Sequence, residues 1–133
     1  MNDNLVSVNT AISIDLTGQV CAESIGPRQY SASGGQMNFV EGAKLSKGGR
    51  SFIAVTSVAH TKKGPVSRIV PTLAPGSAVT TLRNDVQYIV TEYGVADLRF
   101  ADVPTRVKRL IAISHPDFRD KLEFDAKKMG ILY

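Results

Sequence analysis

Ser33-Gly34-Gly35-Gln36-Met37-Asn38-Phe39-Val40 is the stretch on which the reading of this chain turns. Two adjacent glycines let the backbone bend sharply and approach a ligand closely, because no Cβ stands in the way. Met37, Val40 and then Lys44-Leu45 recur at roughly helical spacing, so the glycines open a helix that ends near Ser46. A helix start carries unpaired N–H groups and about half a positive charge, which suits a phosphate, a carboxylate or a developing oxyanion. The same glycine pair also reads as an ordinary turn, and it matches neither G-x-G-x-x-G nor G-x-x-x-x-G-K-[ST].

Working outward, Leu5-Val6-Ser7-Val8-Asn9 and Ala11-Ile12-Ser13-Ile14-Asp15 alternate apolar and polar residues, predicting one long half-buried strand. Residues 16–19 form a turn, and residues 20–25 fold back as a hairpin partner that Gly26-Pro27 breaks. Beyond the helix, residues 51–58 read as a buried strand, 60–65 as a polar loop, and 66–70 as a strand stopped by Pro71. The Ala74-Pro75-Gly76 turn precedes a strand-like run at 78–82. Residues 88–91 are a further strand ended by Gly94, with a short piece at 95–99. Pro104, following Asp102, opens a helix with Val107, Leu110, Ile111 and Ile113 on one face. Pro116 opens the last helix, with Phe118, Leu122 and Ala126 or Met129 inward. These elements predict an α/β fold, a mostly parallel or mixed sheet flanked by helices, in a single domain over residues 1–133.

Composition narrows the class. Of 133 residues, 43% are hydrophobic and 21% charged, a globular balance rather than a disordered or membrane one. No apolar run approaches the roughly 20 residues of a bilayer span, and Met1-Asn2-Asp3-Asn4 has no secretory character, so no membrane partner is expected. The single Cys21 allows no internal disulfide or multi-cysteine zinc site and fits a reducing cytoplasm, the expected location. The net charge of +4 is spread along the chain, with lysine doublets at Lys62-Lys63 and Lys127-Lys128. Without tryptophan or interleaved aromatic and basic residues it does not read as a nucleic-acid binder. A small polyanion such as a nucleotide-bearing cofactor, or plain solvated surface, accounts for the excess.

Catalytic residues are sparse. Cys21 lies in a strand pattern and reads as a small core hydrophobe. Neither His60 nor His115 has an i+4 partner or a cysteine or aspartate cluster, so no metal is expected, and G-x-S-x-G is absent. Among the glutamates, Glu92 follows a buried strand, and strand ends border ligand clefts in α/β sheets. An ion pair from Glu92 to Arg99 or Arg83 is the alternative reading. No two residues make a catalytic pair.

A longer series of motifs runs in order through the chain: Asp15-Leu16-Thr17-Gly18-Gln19-Val20, Glu23-Ser24-Ile25-Gly26, Gly34-Gly35-Gln36-Met37-Asn38-Phe39, Ser46-Lys47-Gly48-Gly49, Ser67-Arg68-Ile69-Val70-Pro71, Val90-Thr91-Glu92-Tyr93-Gly94-Val95-Ala96-Asp97-Leu98-Arg99 and His115-Pro116-Asp117-Phe118-Arg119. The series resembles the C-terminal domain of the acetyl-CoA hydrolase/transferase family, most closely its 4-hydroxybutyrate CoA-transferase branch. That resemblance implies a CoA-transferase fold packed on a similar N-terminal domain, an active site between the two, a homodimer, and acyl-CoA and carboxylate substrates. It implies CoA as co-substrate and a nucleophilic glutamate in a T-E-M-like motif that this chain lacks, so that the chain alone is inactive.

By position in the family motif, the Gly35 N–H is an oxyanion-hole donor, flanked by Gly34 and Gln36. Ile12 lies in a stretch lining the CoA thioester, Ser31 stands at a cofactor contact, and Lys62 and Lys63 are the cations for the CoA phosphates. Two residues depart from the pattern: Phe100 stands where a glycine is usual, and Asn38 where an aspartate is. An acetyl-CoA hydrolase and a non-catalytic CoA- or nucleotide-binding module are the alternatives. Gly34-Gly35-Gln36 also resembles the hydrolytic loop of peptide release factors, but the long basic helices of such proteins are missing.

Overall fold

In this computed structural model, which describes residues 4–25, 28–29, 42–43 and 48–133, the alternation beginning at Val6 becomes strand β1 (Val6–Thr10). It does not continue to Asp15 as one strand. The amide of Ala11 still donates to Ala54 O (3.3 Å), whereas the next amide, Ile12, donates to Cys21 O (2.8 Å). Hydrogen-bond partners change between neighbouring residues, and β2 (Ser13–Asp15) belongs to a different sheet.

The remaining strands are β3 (Val20–Cys21), β4 (Ser24–Ile25), β5 (Arg28–Gln29), β6 (Arg50–Ala54), β7 (Val58–Thr61), β8 (Gly64–Ser67), β9 (Ile69–Val70), β10 (Tyr88–Thr91) and β11 (Gly94–Asp97). Helices α1 (Val103–Ala112) and α2 (Pro116–Lys128) complete the described elements. The main sheet runs β1-β6-β10-β11, with β1, β6 and β10 parallel and β11 antiparallel at the edge. Val8, Phe52 and Tyr88 lie in register across the parallel strands. A smaller sheet runs β3-β2-β9, while β4–β5 and β7–β8 are separate antiparallel pairs. This is the α/β class with a mixed, mostly parallel sheet that the sequence predicts.

Ile53, Ile89 and Ala96 from the main sheet, Ile14, Val20 and Ile69 from the smaller one, and Val107, Leu110, Leu122 and Ala126 from the helices form one buried cluster. Burial of the valine, leucine and isoleucine side chains contributes roughly 1.5–3 kcal/mol each. Asp102 caps α1 by accepting from Thr105 N (3.0 Å), and His115 Nδ1 caps α2 by accepting from Asp117 N (3.1 Å). Lys127 and Lys128 in the last turn of α2 suit the negative end of its dipole. Ala126, not Met129, is the inward residue; Met129 is exposed.

Several boundaries differ from the sequence reading. The expected 51–58 strand stops at Ala54 and resumes as β7. Residues 60–65 are not a loop: Thr61 Oγ1 donates to Gly64 O (2.7 Å) and accepts from Lys63 N (3.2 Å), closing a tight β7–β8 hairpin whose tip is Lys62-Lys63. The 66–70 strand breaks at Arg68, whose amide donates to Ser57 O while its carbonyl accepts from Ile14 N. Residues 78–82 form no strand; Thr81 makes a single bridge to Val20. The β2–β3 hairpin is present, but β3 ends at Cys21 and β4 pairs with β5. Of the glycine-led helix, Gly42 and Ala43 are helical and Ala43 is buried, while residues 33–41 lie outside the described residues.

Candidate functional site

Three parallel strands ending on one side create a crevice beyond their carboxyl ends, the place where open α/β sheets hold ligands. Here β1, β6 and β10 open onto a cleft of about 440 Å³ whose lining includes Thr10, Ala11, Thr56, Arg68, Thr91 and Glu92.

Glu92 follows directly on β10, and its Oε1 accepts from Ser57 N at 2.7 Å. Burial of the carboxyl pulls its pKa up. The Ser57 side chain and amide, with the charge of His115, pull it down more strongly, so the group sits below the ordinary carboxylate value. Neither Arg99 nor Arg83 pairs with it. Arg99 is bound to Asp97 (3.0 Å) and lies over the Tyr88 ring, 4.7 Å from its centroid.

Arg68 faces the same cleft and holds it together. Its amide donates to Ser57 O (2.9 Å), its carbonyl accepts from Ile14 N (2.9 Å), and its Nη1 donates to Ile12 O (3.0 Å). Buried Ser57 is therefore clamped from both sides, its N–H on Glu92 and its C=O on Arg68. A second cavity of about 360 Å³, lined mainly by apolar atoms of Ile12, Val66, Val70 and Ala74, shares Arg68 with the first. The sequence names Arg68 only within Ser67-Arg68-Ile69-Val70-Pro71. The available signal is an arginine interrupting an apolar strand pattern.

The other predicted residues fall as follows. Ile12 has its N–H bonded to Cys21 O and its C=O to Arg68, which leaves its side chain to line the second cavity. Lys62 and Lys63 are exposed at the hairpin tip and do not line the strand-end cleft. Ser31, Gly34, Gly35 and Gln36 lie outside the described residues. Cys21 is buried. Among the described residues no cluster of three His, Cys, Asp or Glu side chains forms a metal site, and no helix is long and apolar enough to cross a membrane.

Comparison with known proteins bears directly on this geometry. Residues 1–126 match the family model described as acetyl-CoA hydrolase/transferase C-terminal domain. The chain is 54% identical over 129 residues to a succinyl-CoA:cyclohexane-1-carboxylate CoA transferase of Geobacter metallireducens, covering 97% of this chain and 29% of the relative. It is also 54% identical over 127 residues to the 4-hydroxybutyrate coenzyme A transferase of Clostridium kluyveri, covering 96% and 29%. The crystal structure of RipA from Yersinia pestis superposes with a TM-score of 0.88 at 51% identity, covering 98% of this chain and 29% of that one. The chain thus spans less than a third of the length of these relatives.

Proposed function

The chain belongs to the acetyl-CoA hydrolase/transferase family, whose C-terminal domain it carries, and from this premise we propose that it is the C-terminal part of a longer two-domain enzyme that passes CoA between carboxylic acids, such as 4-hydroxybutyrate and acetate. The observation that carries the reading is the cleft at the ends of β1, β6 and β10, which holds an ionised glutamate already engaged by a backbone amide. Tied to Ser57, Glu92 supports the walls of the cleft and is a poor nucleophile.

In this reading the attacking glutamate comes from the N-terminal domain. Its carboxylate adds to the acyl-CoA thioester carbonyl, CoA thiolate leaves, and an acyl-glutamyl anhydride remains. The thiolate then attacks the glutamyl carbonyl and releases the first acid, giving a glutamyl-CoA thioester, and the steps reverse with the second acid. This chain supplies the Gly35 N–H to the developing oxyanion, a donor of a kind worth about 3 kcal/mol elsewhere. Gly34, Gln36, Ser31 and Ile12 line the thioester end, and Lys62 and Lys63 meet the CoA phosphates. Hydrolysis is the second reading, since water can resolve the same intermediate.

The test is acyl-CoA exchange followed by chromatography. Acetyl-CoA and 4-hydroxybutyrate mixed with this chain alone should give no exchange. The chain fused behind the N-terminal portion of the Clostridium kluyveri relative should restore it. Turnover by the isolated chain would refute the missing nucleophile and turn attention to Glu92.

A further inference from the structure

Arg68 stands at the boundary of the two cavities and lines both. It is the one cation lining the strand-end cleft among the described residues, and no carboxylate of a described residue pairs with it. Glu92 on the same cleft is occupied by Ser57 N, and Asp97 by Arg99. The Arg68 guanidinium gives a hydrogen bond from Nη1 to Ile12 O, while its buried Nε–H has no acceptor among the described residues. Turning the guanidinium toward an anion at the cavity boundary therefore sacrifices a single hydrogen bond. The cavity behind it offers Ile12, Val66, Val70 and Ala74, with Ser13 and Ser77 in the same lining.

We propose, resting on the CoA-transferase reading above, that Arg68 receives the carboxylate of the acid substrate and that the adjoining apolar cavity takes its short aliphatic chain. A guanidinium holds a carboxylate in a planar two-point contact that an ammonium cannot copy. An uncompensated positive charge in a partly enclosed site gains from an anion what it loses in hydration. The apolar lining selects against a second charge at the far end of the acid, because a diacid would strand a carboxylate there. A terminal hydroxyl is acceptable, since Ser13 and Ser77 can partner it. The acid held best is thus a short aliphatic monocarboxylate, with or without a terminal hydroxyl, and acetate is the weaker-bound partner in the exchange.

The test reads the Arg68 Nε–Hε signal and the methyl signals of Ile12, Val66 and Val70 by NMR in this chain during titration with butyrate. Saturable movement of both sets is expected, with acetate about tenfold weaker, the factor that two buried methylenes supply. Succinate, 1-butanol and chloride should produce little. Arg68→Lys should weaken butyrate several-fold and Arg68→Met should abolish its effect. Methyl shifts that persist in the Arg68→Met variant, or an Arg68 signal that follows chloride as readily as butyrate, would overturn the assignment.

In the fused two-domain enzyme, Arg68→Lys should raise KM for the acid several-fold while leaving KM for acyl-CoA in place. Normal KM for the acid in that variant sinks the role of Arg68 and spares the transferase reading. Saturable butyrate binding with no exchange in the fused enzyme supports the carboxylate site and sinks the transferase reading.

Discussion

Phe100 has a left-handed backbone, φ +55°, and its side chain is fully exposed. An L-residue in that region costs roughly 1–2 kcal/mol, and exposure means the ring returns nothing through burial. A glycine, which the family resemblance implies at this position, would adopt the same backbone without that cost. Phe100→Gly removes the strain and gives back part of it through the larger freedom of glycine in the unfolded chain. A net gain of about 0.5–1 kcal/mol is expected, a rise of a few degrees in Tm by calorimetry. A Tm that is unchanged or lower would show that the strain is absent. The turn at residues 16–19 was equally legible, and Asp15 just before it holds it: its Oδ1 accepts from Thr17 N, Thr17 Oγ1 and Gln19 N, and its Oδ2 from Gln19 Nε2. Asp-Leu-Thr-Gly-Gln spells a turn because a carboxylate can bond to the backbone just ahead of it.

At the scale of elements, the two helices were readable because each carries its own start signal, Asp102 before Pro104 and His115 before Pro116. The break between β1 and β2 was not. Alternation records which face a residue uses, not which sheet bonds its amide, and at Ala11-Ile12 the partner changes without a break signal. The β7–β8 turn escaped notice for a related reason, since Lys-Lys carries none of the Asn-Gly chemistry that marks a two-residue hairpin. Arg106 on α1 is a further case, a buried cation in a helix whose pattern suggests only an apolar stripe. Its Nε donates to Ala101 O, and its Nη1 donates to Thr17 O and Arg83 O, tying α1 to two distant turns. Burial, aided by the nearby Arg83 charge, pushes its pKa down, yet three carbonyls hold it in place. Gly18, at φ +96°, makes room for it; a Cβ there would lie 2.8 Å from Nη1. Arg106→Met leaves three acceptors without this donor and should cost about 3 kcal/mol in urea unfolding. Arg106→Lys should recover less than half, because one ammonium cannot span all three carbonyls. A loss below about 1 kcal/mol in the Met variant would mean that the tie is dispensable.

For the molecule as a whole, the location of the cleft was legible in principle, because parallel strands place ligands at their carboxyl ends. Glu92 was legible with it, as the residue after a buried strand. The rest of the lining was not: Arg68 and Ser57 reach Glu92 only after β7, β8 and β9 have folded back beside the β1–β2 link. The glycine-led stretch that carried most of the functional inference lies outside the described residues, which leaves the cation doublet as the predicted ligand contact most open to measurement. From Ala54 the chain passes through cleft residue Thr56 into β7, so the hairpin bearing Lys62-Lys63 leaves the sheet at its ligand end. Both lysines are exposed, and neither forms an ion pair with another described residue. Exposed lysines add little to folding but remain available to a phosphate that docks from solvent. If they meet the CoA 3′-phosphate, calorimetry on the fused two-domain enzyme should show CoA binding more tightly than 3′-dephospho-CoA at low ionic strength. In the Lys62→Ser/Lys63→Ser double variant CoA affinity should fall about tenfold and the two ligands should converge, since each exposed charge contributes at most about 1 kcal/mol. Raising the salt should shrink the wild-type difference, because solvent-exposed ion pairs are screened by added salt. Equal affinities in the wild-type protein, or a gap between the ligands that survives the double substitution, would remove both lysines from the phosphate role and leave the hairpin tip as solvated surface.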